Sequence, residues 1–253
     1  MAYREICTPF FIILNNLLNC FMKNILLTLI VLIGYTNCYA QVETDSINKE
    51  VDSKYREDQF YIAVTYNLLG NKPDMVSQSG FSSGFHLGFV RDFPINKRRN
   101  WALGLGLGLS SNSFNHNFLI QEDGDGYDYI ILDKSDIDYT KNKFTTYMVE
   151  MPLQVRWRTS TSDDYKFWRI YTGLNIGYVV YNSSKFKGDL GTIKQGNIES
   201  FNDFQYGLTL SAGYNTWNIY FYYGLNPIFD NISVNDVSVD MNAIKIGLIF
   251  YIL

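Results

Sequence analysis

Apolar and polar residues alternate one by one through most of the chain after residue 58, and this period of two predicts β-strands. Phe60, Ile62, Val64 and Tyr66, for example, occupy every second position of the first such segment. Eight segments carry the pattern, at residues 60–67, 84–89, 101–110, 149–157, 168–177, 205–213, 219–226 and 244–252. No helix is predicted after residue 58, so the sequence indicates an all-β protein.

The connections between the eight segments alternate in length. Short ones follow the second, fourth and sixth segments, with the sequences DFPINKRRN, TSTSDDY and NT, and the others are longer. An even number of strands with alternating short and long connections is typical of bacterial outer-membrane barrels. Strands of about ten residues also match a tilted membrane-spanning strand. We therefore predict an eight-stranded antiparallel up-and-down barrel in the outer membrane, at residues 59–253, with both termini periplasmic.

A soluble barrel of the lipocalin type is the alternative fold, since it also has eight alternating strands. Its non-apolar face would meet water and carry many charges, whereas here that face is mostly Gly, Ser, Thr, Asn, Gln and Tyr, which suit a narrow lumen. Trp101, Trp157, Trp168 and Trp217 lie at strand ends beside the short turns. They predict an aromatic girdle in contact with outer-membrane lipid, although any one of them could be a core residue.

The segment WALGLGLGLS, residues 101–110, places three glycines opposite a row of leucines. Its G-x-G-x-G spacing lacks the third-glycine position of a dinucleotide-binding turn, and no helix follows it. We predict instead a membrane-spanning strand with its leucines towards hydrocarbon. Gly104, Gly106 and Gly108 would then leave room in the lumen for larger neighbours such as Tyr61 or His86.

Composition narrows the class of protein further. Aromatic residues make up 17% of the 253 residues and charged residues 18%, and the net charge is −4. The negative charge argues against nucleic-acid binding. The three cysteines, Cys7, Cys20 and Cys38, all lie in the first 40 residues, which we expect to be removed, so no disulfide or thiolate metal site is predicted in the mature chain.

Residues 22–40 have the outline of a signal peptide, with Lys23 before an apolar core and small residues before Gln41. The apolar run is too short for a transmembrane anchor, and the residues before Cys38 do not form a lipobox. We predict translation from Met22, cleavage after Ala40 and removal of residues 1–40. The charged, aperiodic residues 41–58 are predicted to be a flexible periplasmic lead-in.

Little in the sequence indicates catalysis. His86 and His116 are the two histidines, and no motif assembles either with a serine or an acid, so no enzymatic activity and no cofactor are predicted. The loop EDGDGYD, residues 122–128, resembles a calcium loop but lacks the later bidentate glutamate. Its Asp-Gly pairs are better explained as turn formers.

One cluster of charges is predicted inside the barrel. Glu150 is the sole acid clearly on a lumen-facing position, and Lys245 lies at a similar height on the opposite strand. Because a desolvated charge needs a partner, we predict a Glu150–Lys245 pair, with Arg156 or Arg169 nearby and His86 as a polar neighbour. Such a network implies a closed barrel rather than a pore.

The two ends of the barrel differ in predicted charge. The loop after the third segment is acidic, whereas the short-turn side is basic, through Arg91, Lys97, Arg98, Arg99, Arg156, Arg158, Lys166 and Arg169. The basic side could contact phospholipid headgroups or an acidic periplasmic partner, or it could simply be a solvated surface.

Four stretches, GFHLGFVRDFPINKRRNWALGLGLG, FTTYMVEMPLQVRWRTST, YKFWRIYTGLNIGY and LSAGYNTWNIYFYYGLNPIF, resemble the PorT family of outer-membrane barrels, called SprT in gliding bacteria. The resemblance extends from about residue 60 to the last residue. It implies a non-enzymatic component required for type IX protein secretion, and for gliding where present, with other secretion components as partners. It transfers no catalytic or binding residue.

The final strand, residues 245–253, also resembles the carboxy-terminal signal recognised by the barrel-assembly machinery. Two other functions stay open: a structural or adhesin-like barrel that binds partners through its extracellular loops, and a lipid-modifying barrel enzyme.

Overall fold

The computed structural model describes residues 58–123, 126–133, 137–159, 167–230, 232–234 and 237–252. The predicted signal peptide and nearly all of the predicted lead-in lie outside these residues. So do Lys166 of the basic side and Gly124 and Asp125 of the acidic loop.

Thirteen β-strands are found in the described part of the chain, and no helix there is long and apolar enough to cross a membrane. The strands are β1 (Gln59–Gly70), β2 (Ser83–Pro94), β3 (Trp101–Asn115), β4 (Phe118–Asp123), β5 (Gly126–Ile131), β6 (Tyr139–Arg158), β7 (Trp168–Gly188), β8 (Gly191–Gly196), β9 (Phe204–Tyr214), β10 (Trp217–Gly224), β11 (Ser233–Val234), β12 (Val237–Ser238) and β13 (Asn242–Ile252).

Eight of these strands close into a barrel. Each pairs antiparallel with the next, in the order β1, β2, β3, β6, β7, β9, β10 and β13, and β13 pairs with β1 to complete the circle. Closure gives every one of the eight strands a partner on both sides, so their backbone hydrogen-bonding groups are satisfied without water, as a membrane requires. The predicted eight-stranded up-and-down barrel is confirmed.

The alternation of the sequence becomes an alternation between the outside and the lumen. On β3, Leu103, Leu105, Leu107 and Leu109 are 45–65% exposed, as side chains that face lipid should be, whereas Ala102 is fully buried. Outward apolar side chains recur on the neighbouring strands, including Phe85 and Leu87 of β2. The prediction for the leucine row of the third segment is therefore confirmed.

Several strands are longer than the sequence predicts. β6 begins at Tyr139 rather than at residue 149, and β7 continues to Gly188 rather than ending near residue 177. The short strand β8 pairs with this extension of β7, and β4 pairs with β5 as a hairpin. The hydrophobic pattern misses these parts because their outward positions carry lysine and serine in place of leucine and valine.

The extracellular end of the barrel is filled by phenylalanine rings, which we call the aromatic cap. It consists of Phe114, Phe118, Phe144, Phe201 and Phe229, all at most 3% exposed. Phe144 lies at the centre, with its ring centroid 5.0 Å from Phe114, 5.4 Å from Phe201 and 5.3 Å from Phe229. The cap joins residues from β3, β4, β6 and the later loops into one apolar core.

Candidate functional site

The centre of the lumen holds a buried charge network around Glu150. Ser110 Oγ donates to Glu150 Oε1 at 2.6 Å, and His86 Nδ1 lies 3.2 Å from Oε2. Lys245 Nζ lies 3.9 Å from Oε1, so the structure brings together Glu150, Lys245 and His86 of the predicted lumen set. All four side chains are buried, which means that each charge relies on the others rather than on water for its stabilisation.

Strand register explains how these groups meet. Tyr61, Gly88, Gly108 and Glu150 are direct partners across β1, β2, β3 and β6, and therefore form one row around the wall. A Cβ atom at Gly88 or Gly108 would collide with the hydroxyl of Tyr61. The two glycines are thus the space into which Tyr61 extends, as predicted for the glycines of the third segment.

The network leaves almost no free volume. A cavity of about 20 Å³ remains beside it, lined by residues that include Tyr61, His86, Glu150, Gln154 and Tyr220. This volume accommodates about one water molecule. Tyr61, Tyr220 and Tyr222 also fill the lumen at this height, and each is at most 7% exposed. The described lumen is therefore packed with side chains at this level.

The proximity of His86, Ser110 and Glu150 differs from the expectation that no motif gathers a histidine with a serine and an acid. The set cannot be recognised in the sequence, because the three residues lie on three strands that become neighbours only in the closed barrel. Their geometry is not that of a nucleophile and its base, since Ser110 donates to Glu150 and not to His86. All three are also buried in the lumen, away from any lipid surface.

A second buried cluster lies nearer the short turns. Asp92 accepts from Arg156 at 3.0 Å and forms an ion pair with Arg158 at 2.8 Å, and all three side chains are fully buried. Gln59 Oε1 also accepts from Arg156. The prediction that Glu150 is the sole lumen acid is therefore wrong. The predicted second segment ends at residue 89, whereas in the structure the inward alternation continues through Val90 to Asp92.

The structure places Arg156 and Arg169 in this second cluster and not beside Glu150. The Arg156 guanidinium lies 4.1 Å from the ring centroid of Tyr171, and that of Arg169 lies 4.5 Å from Phe167 and 5.5 Å from Tyr251. Aromatic faces attract cations most strongly where water is excluded. Two levels of the lumen are therefore held by charge, one around Glu150 and one around Asp92.

The four tryptophans lie at the short-turn end of the barrel. Trp101 is the direct partner of Trp157, and both Trp168 and Trp217 are paired with Tyr214. Trp101, Trp168 and Trp217 are 42–66% exposed, and Trp157 is half-buried. These residues therefore form a single outward band at the height where the periplasmic interface of the membrane is expected.

The remaining candidates are a metal-binding cluster and His116. In the part of the chain that the structure describes, no group of three or more His, Cys, Asp or Glu residues is placed to hold a metal ion. His116, predicted near a long loop, is fully buried in the aromatic cap, where its Nδ1 accepts from the Phe118 N–H at 3.0 Å. Burial lowers the pKa of His116 to about 3, so its ring is neutral near neutral pH.

Two solved structures similar to the chain are those of Ail, the attachment invasion locus protein of Yersinia pestis. The structure in complex with the heparin analogue sucrose octasulfate is 15% identical over 78% of this chain and 99% of that chain, with a TM-score of 0.36. A second Ail structure is 13% identical over 77% of this chain and 97% of that chain, with a TM-score of 0.31. No curated protein matches the chain.

Residues 39–230 match the family described as outer membrane protein beta-barrel domain. This range covers well over half of the chain and contains most strands of the barrel. It agrees with the lipid-facing leucine rows and the closed sheet, so the predicted outer-membrane location is confirmed. The chain belongs to this family of outer-membrane β-barrel proteins.

Proposed function

We propose that the protein is a non-enzymatic outer-membrane component needed for type IX protein secretion, and for gliding in cells that glide. It acts as a docking element in the membrane and not as a channel. The observation that carries this proposal is the filled lumen: the Glu150 and Asp92 clusters and the aromatic cap occupy successive levels of a narrow barrel. A cavity of about 20 Å³ cannot pass a protein.

The connection to type IX secretion rests on the resemblance to the PorT family. Its more specific segments are RDFPINKRRN, YKFWRIY and AGYNTW. The residues of these segments that the structure describes lie at the short-turn end of the barrel. Lys97 and Arg98 are exposed there, beside the apolar and exposed Ile95. This end faces the periplasm, where other secretion components could bind, so we propose it as the docking surface.

Gene deletion tests the proposal directly. We expect the deletion strain to lose secretion of proteins that carry a type IX carboxy-terminal signal, and the full-length gene to restore it. A Lys97→Ser/Arg98→Ser variant should secrete less while its barrel still folds, and a Glu122→Ser/Asp128→Ser variant, which changes two exposed charges of the extracellular β4–β5 hairpin, is the control. Normal secretion in the deletion strain would refute the proposal.

The second candidate is a structural or adhesin-like barrel that binds partners through its extracellular loops. The favouring observation is that the loops carry strands β4, β5 and β8 and present a folded surface. Strands β4 and β5 pack with the aromatic cap, and β8 packs through Ile193 on a second apolar cluster of Leu119, Leu132 and Phe186. This function predicts the opposite result: secretion stays normal in the deletion strain, and attachment to surfaces or cells decreases.

A lipid-modifying enzyme is the third candidate, favoured by the short distances among His86, Ser110 and Glu150. Burial of the set in the lumen counts against it, since a lipid substrate would have to enter a closed barrel. A His86→Ala variant separates the possibilities. We expect it to support secretion as well as the wild type does, and an altered lipid profile in this strain would instead favour the enzyme.

A further inference from the structure

Five lysines share one face of the sheet where β6, β7 and β8 extend beyond the long-loop end of the barrel. We call them the lysine face: Lys141, Lys143, Lys185, Lys187 and Lys194. Lys141 is the direct partner of Lys187, Lys143 is the partner of Lys185, and Lys185 is also the partner of Lys194. Direct partners in an antiparallel ladder point to the same side, so the lysines form one contiguous cluster.

The lysine face points away from the barrel interior. On the same strands, the residues adjacent to the lysines in sequence, Asn142, Phe144 and Phe186, point inward and are buried. Lys141, Lys187 and Lys194 are exposed, and Lys143 and Lys185 are half-buried. The cluster therefore lies on the outer wall, on the side that faces lipid further down the same strands.

Aromatic residues mark the membrane boundary directly below the lysine face. Tyr147 and Tyr181 are paired on β6 and β7, each 43% exposed, with ring centroids 5.9 Å apart. Tyr178 and Phe204 form a second outward pair at 5.1 Å. Tyrosine and phenylalanine collect at the membrane interface. The lysines begin just above them, at the height of the headgroups of the outer leaflet.

The cluster is electrostatically unfavourable by itself. Like charges directly opposite each other destabilise a strand pair, and the lysine face contains three such contacts. Among the described residues, no carboxylate oxygen lies within 4.0 Å of any of the five ammonium groups, and the neighbouring polar contact is with a neutral group, Ser113, whose Oγ accepts from Lys143 at 3.2 Å. The carboxylate of the nearby Asp189 accepts instead from the backbone N–H of Asp138, at 3.1 Å.

We propose that the lysine face binds the phosphate groups of a phosphorylated glycolipid in the outer leaflet. Phosphate supplies the negative charge that the five lysines lack, and lysine binds it as a point charge. The same wall offers the acyl chains an apolar surface immediately below, through Val180 and Phe204, which are 55% and 60% exposed. A lipid satisfies both parts of this surface, whereas a soluble anion satisfies only the charged part.

The test measures lipid binding to the refolded full-length barrel in detergent by native mass spectrometry. The probes are bisphosphorylated lipid A and the same lipid without its phosphates. We expect the wild type to retain the phosphorylated lipid at least about tenfold more strongly than the dephosphorylated one. Replacement of all five lysines by glutamine should remove this preference, and replacement by arginine should keep it.

Two controls separate charge from folding. A Lys97→Gln/Arg98→Gln variant removes cations from the periplasmic turn and should keep the full preference. A Lys141→Gln/Lys187→Gln variant removes only one cross-strand pair and should lose part of the preference for the phosphorylated lipid. This variant keeps the test decisive if the variant with all five lysines replaced does not fold. Folding is checked by the heat-dependent shift in gel mobility that intact barrels show.

Three results would overturn the proposal. The first is equal binding of the phosphorylated and dephosphorylated lipids by the wild type. The second is an unchanged preference in a folded glutamine variant. The third is displacement of the lipid by a soluble sulfated polysaccharide that binds more tightly than lipid A, which would assign the lysine face to a polyanion in solution.

Discussion

At the level of the membrane the interior of the barrel is packed with paired charges and tyrosines, whereas above the membrane it is packed with phenylalanines. Strand β6 contains both arrangements. At the lower level Glu150 points inward and Met151 outward. Six residues before Glu150, nearer the extracellular end of the strand, Phe144 points inward and its neighbour Lys143 outward. The same strand thus exchanges its polar and apolar faces along its length.

The difference follows from what surrounds each level. Lipid requires apolar side chains on the outer wall, so polar residues of a membrane-level strand lie in the lumen and must pair with one another there. Above the membrane the outer wall meets water, and an apolar core forms inside, as in a soluble protein. The two regions are therefore stabilised by different forces and can be disturbed separately.

The largest expected effect is on assembly of the wall that both regions share. Gly106→Phe should prevent formation of the folded barrel, because a Cβ at this position would lie 2.5 Å from the Phe89 carbonyl oxygen and 2.8 Å from Val90. Gel mobility with and without heating measures the folded fraction. Leu105→Ile is the matched control on the lipid face and should assemble normally, and a well-folded Gly106→Phe barrel would contradict the packing described for the lumen.

The next largest effect concerns the lumen alone. Asp92→Ala leaves Arg156 and Arg158 buried without their shared carboxylate, which should lower the free energy of unfolding by about 3–5 kcal/mol. Urea unfolding in lipid vesicles, followed by tryptophan fluorescence, measures the loss. Asp128→Ala, in the extracellular hairpin, is the control and should change stability little. Equal stability of the two variants would show that the Asp92 cluster does not hold the lumen together.

The membrane-level fold was predictable because one rule acts along all eight strands. Alternation of outward apolar and inward small or polar residues identifies each strand, and the alternating connection lengths give the topology. The prediction failed where the exchange of faces begins. Beyond Tyr147 and Tyr181 the outward residues become polar, so the period-two hydrophobic signal ends although the strands continue.

The lumen was predictable only in part. Glu150 and Lys245 could be matched by their heights on two strands, since both follow the alternation closely. The partnership of Asp92 with Arg156 and Arg158 depends on how far the second strand continues towards the turn, which hydrophobicity does not reveal. Gathering of His86 and Ser110 around Glu150 depends on barrel closure and register. These quantities belong to the whole sheet and not to any one segment.

A smaller, local effect is expected from the cap. Phe144→Ala removes the ring that contacts Phe114, Phe201 and Phe229, and should destabilise the cap by about 3 kcal/mol. Hydrogen–deuterium exchange should accelerate in β4, β5 and β8 and stay slow in the membrane-level strands. Phe204→Ala, on the outer wall, is the control. Faster exchange throughout the barrel would mean that the cap and the lumen are not separate regions.

The smallest effect comes from protonation of His116, whose ring packs against Phe144 at 4.9 Å and Phe118 at 6.1 Å. Its pKa is about 3 in the folded cap and has an ordinary value of 6.5. Between these values an opened cap binds a proton that the closed cap does not bind, so cap stability is full above pH 6.5 and falls as the pH falls. The loss should reach about 2 kcal/mol at pH 5.

Hydrogen–deuterium exchange of cap amides at several pH values, corrected for the intrinsic exchange rate, measures this dependence. In a His116→Phe variant the apolar packing is retained and the titrating group is gone, so its cap stability should be lower at neutral pH, where the Phe118 N–H has lost its acceptor, yet nearly constant down to pH 5. The membrane-level strands should show no such difference between wild type and variant. If wild type and variant lose cap protection in parallel, the pH dependence belongs to other groups of the extracellular loops, and the neutral histidine is merely one more ring in an apolar core.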